Sequence, residues 1–146
     1  MKFTALARVL MLPIFLAALL TTGCGKVKDA AAKTRRSNDL KQLGLLYMNY
    51  VDTNNKGPAN ADDLMKMTAG DPQAGQVVQA VKSGQYILLW GANPSAMQRA
   101  PGGSSGTILG YEKDVPTSGG QVLMGDGFVK NMTAAEFQSA PKAGGK

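Results

Sequence analysis

Histidine is absent from this sequence of 146 residues, and cysteine occurs only once. The chain therefore has no imidazole for acid–base catalysis, no internal disulfide and no zinc site built from His and Cys. Aromatic residues are sparse at 6%, whereas glycine (18) and proline (7) are frequent. No serine or threonine has a histidine to activate it as a nucleophile. The composition thus argues against an enzyme and favours a single loop-rich α+β domain.

Positive charge is concentrated near the N-terminus. Residues 24–41 carry six bases against two acids, whereas residues 42–146 carry eight of each, so the body of the chain is neutral. A nucleic-acid-binding protein spreads its bases over a docking face, and this distribution does not predict one. A basic segment beside a membrane anchor is attracted to anionic headgroups, while the alternative is an ordinary solvated helix face. We interpret residues 24–36 as a basic juxtamembrane helix or tether.

The first 23 residues have the pattern of a secretory leader. Lys2 and Arg8 precede the apolar run VLMLPIFLAALL, whose twelve residues are too few for a membrane span, which needs about 20. The following LLTTGC resembles the lipobox of bacterial lipoproteins. This resemblance implies cleavage before Cys24, acylation of the cysteine by chains such as palmitate, and a lipid-anchored envelope protein. Within this interpretation, Gly25 after the cysteine favours the outer over the inner membrane. The alternative to a lipoprotein is an ordinary signal peptide cut near TTG.

Apolar spacing beyond the leader predicts one long helix, then short helices, then strands. The long helix carries apolar residues at helical intervals, namely Leu40, Leu43, Tyr47, Tyr50 and Val51. We expect it to stop at Asn54–Gly57, with Gly57 in a left-handed cap position. Short helices are predicted for ADDLMKM, after Asn60 as N-cap, and for DPQAGQVVQAVKSG. The run GANPSAMQRAPGGSSG, residues 91–106, is predicted to be a loop.

Strand signals follow in the second half of the chain. QYILLW, TILGYE and the two arms of QVLMGDGFVKNM predict three to four antiparallel strands, with the structural turn of the last hairpin at Asp126 and Gly127. Thr133 and Glu136 form a capping box for a last short helix. The fold class is therefore α+β, with a long N-terminal helix packed on a small antiparallel sheet, a domain at 37–137 and a disordered tail at 138–146.

Two stretches resemble bacterial pilin-like and pseudopilin-like proteins. SNDLKQLGLLYMNYVDTNNKGP is similar to the Asn-x-Leu-Lys-Gln-Leu/Ile-Gly core of that family, and VLMGDGFV is similar to its closing Val-Leu-Phe-x-Asp-Gly-His-Val hairpin. Phe128 and Pro116 stand where the family often has histidine. The resemblance implies a pilin-type fold and a structural or accessory role, among envelope or type II secretion proteins. A polymerising pilin is not implied, because the leader lacks the Gly before Phe and the Glu after it.

Calcium is the one cofactor that the sequence raises, and we expect none to be bound. Pseudopilins can bind calcium in C-terminal loops, so the resemblance makes Glu112, Asp114 and Asp126 candidate ligands if TILGYE pairs with the last hairpin. EF-hand spacing starts at Asp52, but Lys56 occupies a ligand position there and helix-end chemistry explains the same residues. The alternative function is an envelope-tethered binding module, calcium-dependent or not, that recognises a ligand through residues 91–106.

Overall fold

The computed structural model describes residues 24–144, and the predicted leader at 1–23 lies outside the described residues. Residues up to Thr34 and residues from Arg35 onward form two separate units. The described part of the first unit consists of the opening turns of helix α1, Cys24–Asn54. The second unit contains the remainder of α1 and the elements that follow it.

The second unit is an α+β domain, as predicted. Its further helices are α2 (Ala61–Lys66), α3 (Pro72–Lys82), α4 (Pro94–Arg99), α5 (Gly103–Gly106), α6 (Val115–Ser118) and α7 (Ala134–Ser139). Its strands are β1 (Tyr86–Leu88), β2 (Ile108–Glu112), β3 (Gly120–Met124) and β4 (Val129–Met132). Each strand pairs antiparallel with the next, in the order β1-β2-β3-β4. The predicted long helix on a small antiparallel sheet is thereby confirmed.

Both faces of the sheet are buried. On one face, the apolar stripe of α1 packs with strand residues in a core that contains Leu40, Leu43, Tyr47, Leu88, Leu109 and Leu123. On the other face, α6 and α7 contribute Val115 and Phe137 to a second core with Ile108, Val122 and Met124. Successive residues of a strand point to opposite faces, so a strand covered on both sides is apolar at every position. This explains the apolar runs at residues 108–111 of β2 and 122–124 of β3.

The short helices begin at the caps that the sequence predicts. The Asn60 side chain accepts hydrogen bonds from the amides of Asp62 and Asp63, which starts α2. Asp71 caps α3 in the same way, with Pro72 as its first helical residue. Thr133 and Glu136 form the reciprocal capping box of α7. Each cap satisfies amides that the first helical turn leaves without partners.

The end of α1 differs from the prediction. Asn55, not Gly57, takes the left-handed conformation, with φ of 54°, and its amide donates to the Val51 carbonyl at 2.7 Å. Asparagine tolerates this conformation because its short polar side chain can bond locally. The glycine serves another purpose: a Cβ at Gly57 would lie 2.5 Å from the Ala92 carbonyl oxygen and 2.7 Å from the Tyr47 hydroxyl. Gly57 is thus required for close packing, not for a cap.

The Tyr47 hydroxyl joins α1 to the chain that follows β1. The amide of Ala92 donates to it at 2.9 Å, and the hydroxyl donates to the Leu89 carbonyl at 3.2 Å. Nearby, the Gly91 amide donates to the Pro58 carbonyl at 2.8 Å. Burial of the phenol raises the pKa of Tyr47 to about 12, although the hydrogen bond with Ala92 opposes that rise. The neutral hydroxyl is therefore a permanent buried link between distant segments.

The predicted loop at 91–106 is wrong, because it contains α4 and α5. The side chain of Asn93 accepts from the Ser95 amide at 2.8 Å, and Pro94 follows it as a first-turn proline. Asn-Pro is therefore a helix start here, a signal that the Gly/Pro/Ser composition of the segment obscured. Helix α6 was also not expected from the sequence. Helices α4, α5 and α6 are all short, with four to six residues each. Their positions depend on tertiary packing.

The disorder predicted for 138–146 does not hold for Pro141–Ala143. The Ile108 amide donates to the Pro141 carbonyl and the Ala143 amide donates to the Ile108 carbonyl, both at 2.8 Å. Because β1 pairs with only the Gly110–Glu112 part of β2, the backbone of Ile108 is free to take this partner. The Lys142 ammonium lies 4.6 Å from the Phe137 ring centroid. An unpaired buried backbone group would be destabilising. Pairing with the chain end avoids this at Ile108.

Substituting alanine at Gly57 and at Gly75 should change stability in opposite directions. At Gly57 the new methyl group would overlap backbone atoms of Ala92, so we expect Gly57→Ala to lower the free energy of unfolding by about 1–3 kcal/mol. At Gly75, inside α3, the nearest atom is the Thr68 hydroxyl at 3.9 Å. Gly75→Ala should therefore raise that free energy by up to about 1 kcal/mol. Urea denaturation of both variants measures this, and equal shifts would contradict the packing account of Gly57.

Candidate functional site

Helix α1 meets the β3–β4 hairpin at a close contact, which we call the helix–hairpin junction and define by Gly44, Leu123 and Gly127. A Cβ at Gly44 would lie 3.0 Å from Leu123 Cδ1 and 3.6 Å from Gly127 Cα. A Cβ here would press on the Leu123 side chain and would be in ordinary contact with Gly127, so the absence of a side chain at Gly44 favours this close approach. The junction therefore joins the two stretches on which the pilin-like resemblance depends, across about eighty residues of sequence.

The structure places Asp126 and Gly127 in the turn of this hairpin. The Gly127 amide donates to the Met124 carbonyl at 3.0 Å, and the Met124 amide donates to the Phe128 carbonyl at 2.8 Å. Gly127 has φ of 84°, and the Phe128 amide donates to the Asp126 carboxylate at 3.1 Å. This is a three-residue hairpin loop with glycine in the left-handed position. Asp126 therefore has a local structural role in the turn.

Two large apolar side chains adjoin the junction in sequence and are exposed to solvent. Leu45 follows Gly44 and is 66% exposed, while Phe128 follows Gly127 and is 68% exposed. Single exposed apolar residues are common on soluble domains. Here each one flanks a glycine of the junction, so the backbone beside both is held in place by the core. The two side chains offer apolar contact area on a rigid support.

A polar cleft lies on the same domain, between α1 and the ends of β1 and β2. Arg36 Nε lies 2.6 Å from Glu112 Oε1, and the Gln121 amide donates to Glu112 Oε2 at 2.7 Å. The Glu112 side chain is 15% exposed and that of Arg36 is 45% exposed. Oε1 has no well-aligned hydrogen bond among the described residues, so the guanidinium charge is what compensates its burial. This ion pair fastens α1 to the sheet.

Tyr86 provides a second link from the sheet to α1 at this cleft. Its hydroxyl donates to the Asp39 carboxylate at 2.8 Å, and its backbone is paired with Glu112 across β1 and β2. Burial, followed by the hydrogen bond to Asp39, raises the pKa of Tyr86 above its usual value. The cleft has a volume of about 380 Å³ and is also lined by Lys113 and Asp114. Its lining carries equal numbers of acids and bases, so it does not select a ligand of one charge.

The three calcium candidates do not converge. Glu112 lies at the end of β2 near Gly120, whereas Asp126 lies beyond Met124, whose partner is Ile108 at the opposite end of β2. The length of β2 separates these two carboxylates, and Glu112 is already paired with Arg36. Glu112 and Asp126 are therefore not brought together, because antiparallel pairing places the hairpin turn at the opposite end of β2 from Glu112.

The carboxylates with EF-hand spacing are used at helix ends. Asn60 caps α2, while the Asp63 carboxylate accepts from the Ala59 amide and pairs with Lys66 at 3.0 Å. These partners hold the pKa of Asp63 below its usual value, with Lys66 as the main cause. Within residues 24–144 there is no group of three or more acidic, histidine or cysteine side chains placed to hold a metal ion.

A groove of about 300 Å³ lies where the segment 91–107 meets the chain end. Small side chains form most of its walls, namely those of Ala92, Ala96, Ala100 and Ala143, with Met97 at 3% exposure beneath them. Asn93, Thr107 and Lys142 are its polar members. The Lys142 ammonium donates to the carbonyls of Phe137 and Ala140. The groove can therefore take a small apolar group, but its cation is already engaged.

Substituting Arg36 should lower the free energy of unfolding more than substituting Glu112, its partner in the ion pair. Arg36→Gln leaves the largely buried Glu112 carboxylate uncompensated, and we expect a loss of about 1–2 kcal/mol in the free energy of unfolding. Glu112→Gln should cost less, because Arg36 is half exposed and can be hydrated. The exposed Lys82–Asp62 pair is the control, and Lys82→Gln should change stability by less than about 0.5 kcal/mol. A larger loss for Glu112→Gln than for Arg36→Gln in urea denaturation would contradict this assignment.

Comparison with known proteins adds no family to these observations. No family model, no curated protein and no solved structure matches this sequence. No helix in the described part of the chain is both long and apolar enough to cross a membrane. The functional conclusion is accordingly drawn from the residues and contacts described above.

Proposed function

We propose that this chain is a non-enzymatic envelope protein, anchored by lipid on Cys24, whose pilin/pseudopilin-like domain has a structural or accessory role in a surface or secretion assembly. The observation that carries the proposal is the helix–hairpin junction. The two stretches with pilin-like sequence are far apart in the chain, yet Gly44 lies against Leu123 and Gly127. Residues that resemble one family at two separate places are thus the residues that pack on one another.

The residues of the pilin-like pattern in α1 serve the packing of the helix on the sheet. Leu40 and Leu43 are fully buried against the sheet, and Gly44 allows the hairpin to approach. Lys41, between them, is exposed. The alternation of burial along this stretch is what a helix needs to present one apolar stripe to a sheet. The pattern therefore supports a scaffold domain, since its members serve the helix–sheet contact.

The charged side chains of the domain also support a structural role. Asp71 and Glu136 cap helices, and Glu112 is paired with Arg36. Tyr47 and Tyr86 hold buried hydrogen bonds between α1 and other elements. These groups are engaged in holding the fold together, which is consistent with a protein that acts through its surface. Its partners would then be the membrane, through the lipid, and other envelope or secretion proteins.

The anchor is proposed from sequence, because the leader lies outside the described residues. The apolar run ends shortly before Cys24, and α1 begins at that residue. Several acyl chains on one residue hold a protein stably at a bilayer, whereas one chain binds only marginally. A domain on such an anchor would lie in the envelope, with the outer membrane favoured by Gly25.

Intact mass of the protein extracted from membranes tests the anchor. We expect a chain that starts at Cys24 and carries added acyl mass, because acylation precedes cleavage at a lipobox. Cys24→Ala should lose both the acyl mass and the membrane attachment. A wild-type chain without acyl mass, cut elsewhere or retaining its leader, would refute the lipoprotein assignment.

A second candidate function, a tethered binding module, is favoured by the groove at 91–107. That groove can accept a small apolar group, for instance from a peptide or a carbohydrate. Because the candidate carboxylates are spread along the sheet, we expect calorimetric titration with calcium to give no saturable heat. Asp126→Asn serves as the control for any signal from the hairpin turn. A stoichiometric site with micromolar affinity would overturn this expectation and favour the binding module.

A further inference from the structure

The opening turns of α1 have two chemically different sides. Positions 24, 27, 28 and 31 follow the spacing i, i+3, i+4, i+7 and so share one side of the helix. Val27 and Ala31 are exposed there, and Val27, at 70%, is the most exposed large apolar side chain recorded for the described residues. We call this side the Val27 face.

By position, the opposite side carries one acid, Asp29, and two bases, Lys26 and Lys33. Asp29 and Lys33 lie five and nine residues after position 24, and at 100° per residue this places them away from the Val27 face. They are four residues apart, a spacing at which opposite charges are neighbours on a helix. Lys28, on the Val27 face, has no such neighbour on its own side. The face thus combines exposed apolar groups with a base, and the acid points elsewhere.

This combination fits the surface of an anionic bilayer. An interfacial helix buries apolar side chains at the level of the headgroups while its lysines contact lipid phosphates. We propose that the first turns of α1 lie flat on anionic phospholipid through the Val27 face. The inference deepens the proposed function and rests on it, because position 24, which would carry the acyl group, falls on this side by helical spacing.

A flat and an upright helix differ in how far the contact with lipid extends along α1. With a rise of 1.5 Å per residue, an upright helix would raise Lys33 about 14 Å above position 24. This exceeds the Debye length of about 8 Å at physiological salt, beyond which attraction to the surface is screened. A flat helix instead keeps the Val27 face at the headgroups along its length. Position around the helix, and not distance from the anchor, then decides which lysine contacts lipid.

Hydrogen exchange of the membrane-extracted full-length mature protein tests this orientation. The protein is reconstituted in phosphatidylcholine vesicles and in vesicles that also contain phosphatidylglycerol, and exchange of residues 25–36 is followed. We expect exchange to be slower with phosphatidylglycerol, and 1 M salt should remove the difference. Exchange in the sheet should be the same in both vesicles and reports that the domain remains folded.

Lys28→Gln and Lys33→Gln form a matched pair. Each removes one charge from the same helix, at positions five residues apart on opposite sides. Because one base near an anionic surface is worth about a fivefold change in binding, Lys28→Gln should lose most of the protection gained with phosphatidylglycerol, and Lys33→Gln should keep it. Val27→Ser should also make the exchange of residues 25–36 faster, and it should do so in both kinds of vesicle. Equal effects of the two lysine variants would refute a defined lipid-facing side and indicate charge attraction alone. An upright helix would also keep Lys28, about 6 Å above position 24, near the headgroups. Protection confined to the residues next to position 24 would therefore refute the flat orientation, whereas we expect it across residues 25–36.

Failure of the anchor gives a different result. Protein that stays on both kinds of vesicle without any difference in exchange would overturn the lipid-facing helix and leave the anchor intact. Protein that binds only vesicles with phosphatidylglycerol, through Lys28, would refute the acyl anchor and support the helix face. Protein that binds neither would overturn both.

Discussion

The packing of one stripe of α1 on the antiparallel sheet is the contact on which the rest of the domain depends. Leu40, Leu43 and Tyr47 are fully buried in it. Complete burial of side chains of this size contributes about 1.5–3 kcal/mol each, compared with about 0.5–1.5 kcal/mol for a typical hydrogen bond between neutral groups. The hairpin, the chain after β1 and the cleft are all placed by their contacts with this helix.

That contact explains two positions at which glycine favours close packing. Gly44 allows the hairpin to reach α1, and Gly57 allows the turn after α1 to reach Tyr47 and Ala92. Neither has positive φ, so close approach and not backbone conformation is the reason for both. The polar links follow the same pattern: Tyr47, Tyr86 and Arg36 each connect α1 or the sheet to a partner distant in sequence. Burial of apolar surface thus holds α1 on the sheet, and a few polar contacts set its orientation.

The distribution of charge separates the chain into parts with different chemistry. Bases exceed acids between residues 24 and 41, while residues 42–146 are balanced. In the balanced part, carboxylates cap helices or pair with bases within the domain. In the opening turns of α1, exposure of Val27 and the placement of Lys28 leave a side of the helix with no described partner of its own. The proposed membrane-anchored scaffold would give the two parts different surroundings, since only the first would need to contact lipid.

Local chemistry in the sequence was sufficient for many elements and insufficient for others. The caps at Asn60, Asp71 and Thr133 and the hairpin turn at Asp126-Gly127 depend on residues a few positions apart, so their residue types alone determined them. The buried stripe of α1 was likewise predictable from the helical spacing of its apolar residues. Three features were decided by the tertiary structure. Convergence of Glu112, Asp114 and Asp126 depended on strand register, the role of Gly57 on the position of Ala92, and the order of Pro141–Ala143 on the open edge of β2. Each of these is a contact between segments distant in sequence, and a single sequence carries no direct record of which distant backbone groups remain free to pair.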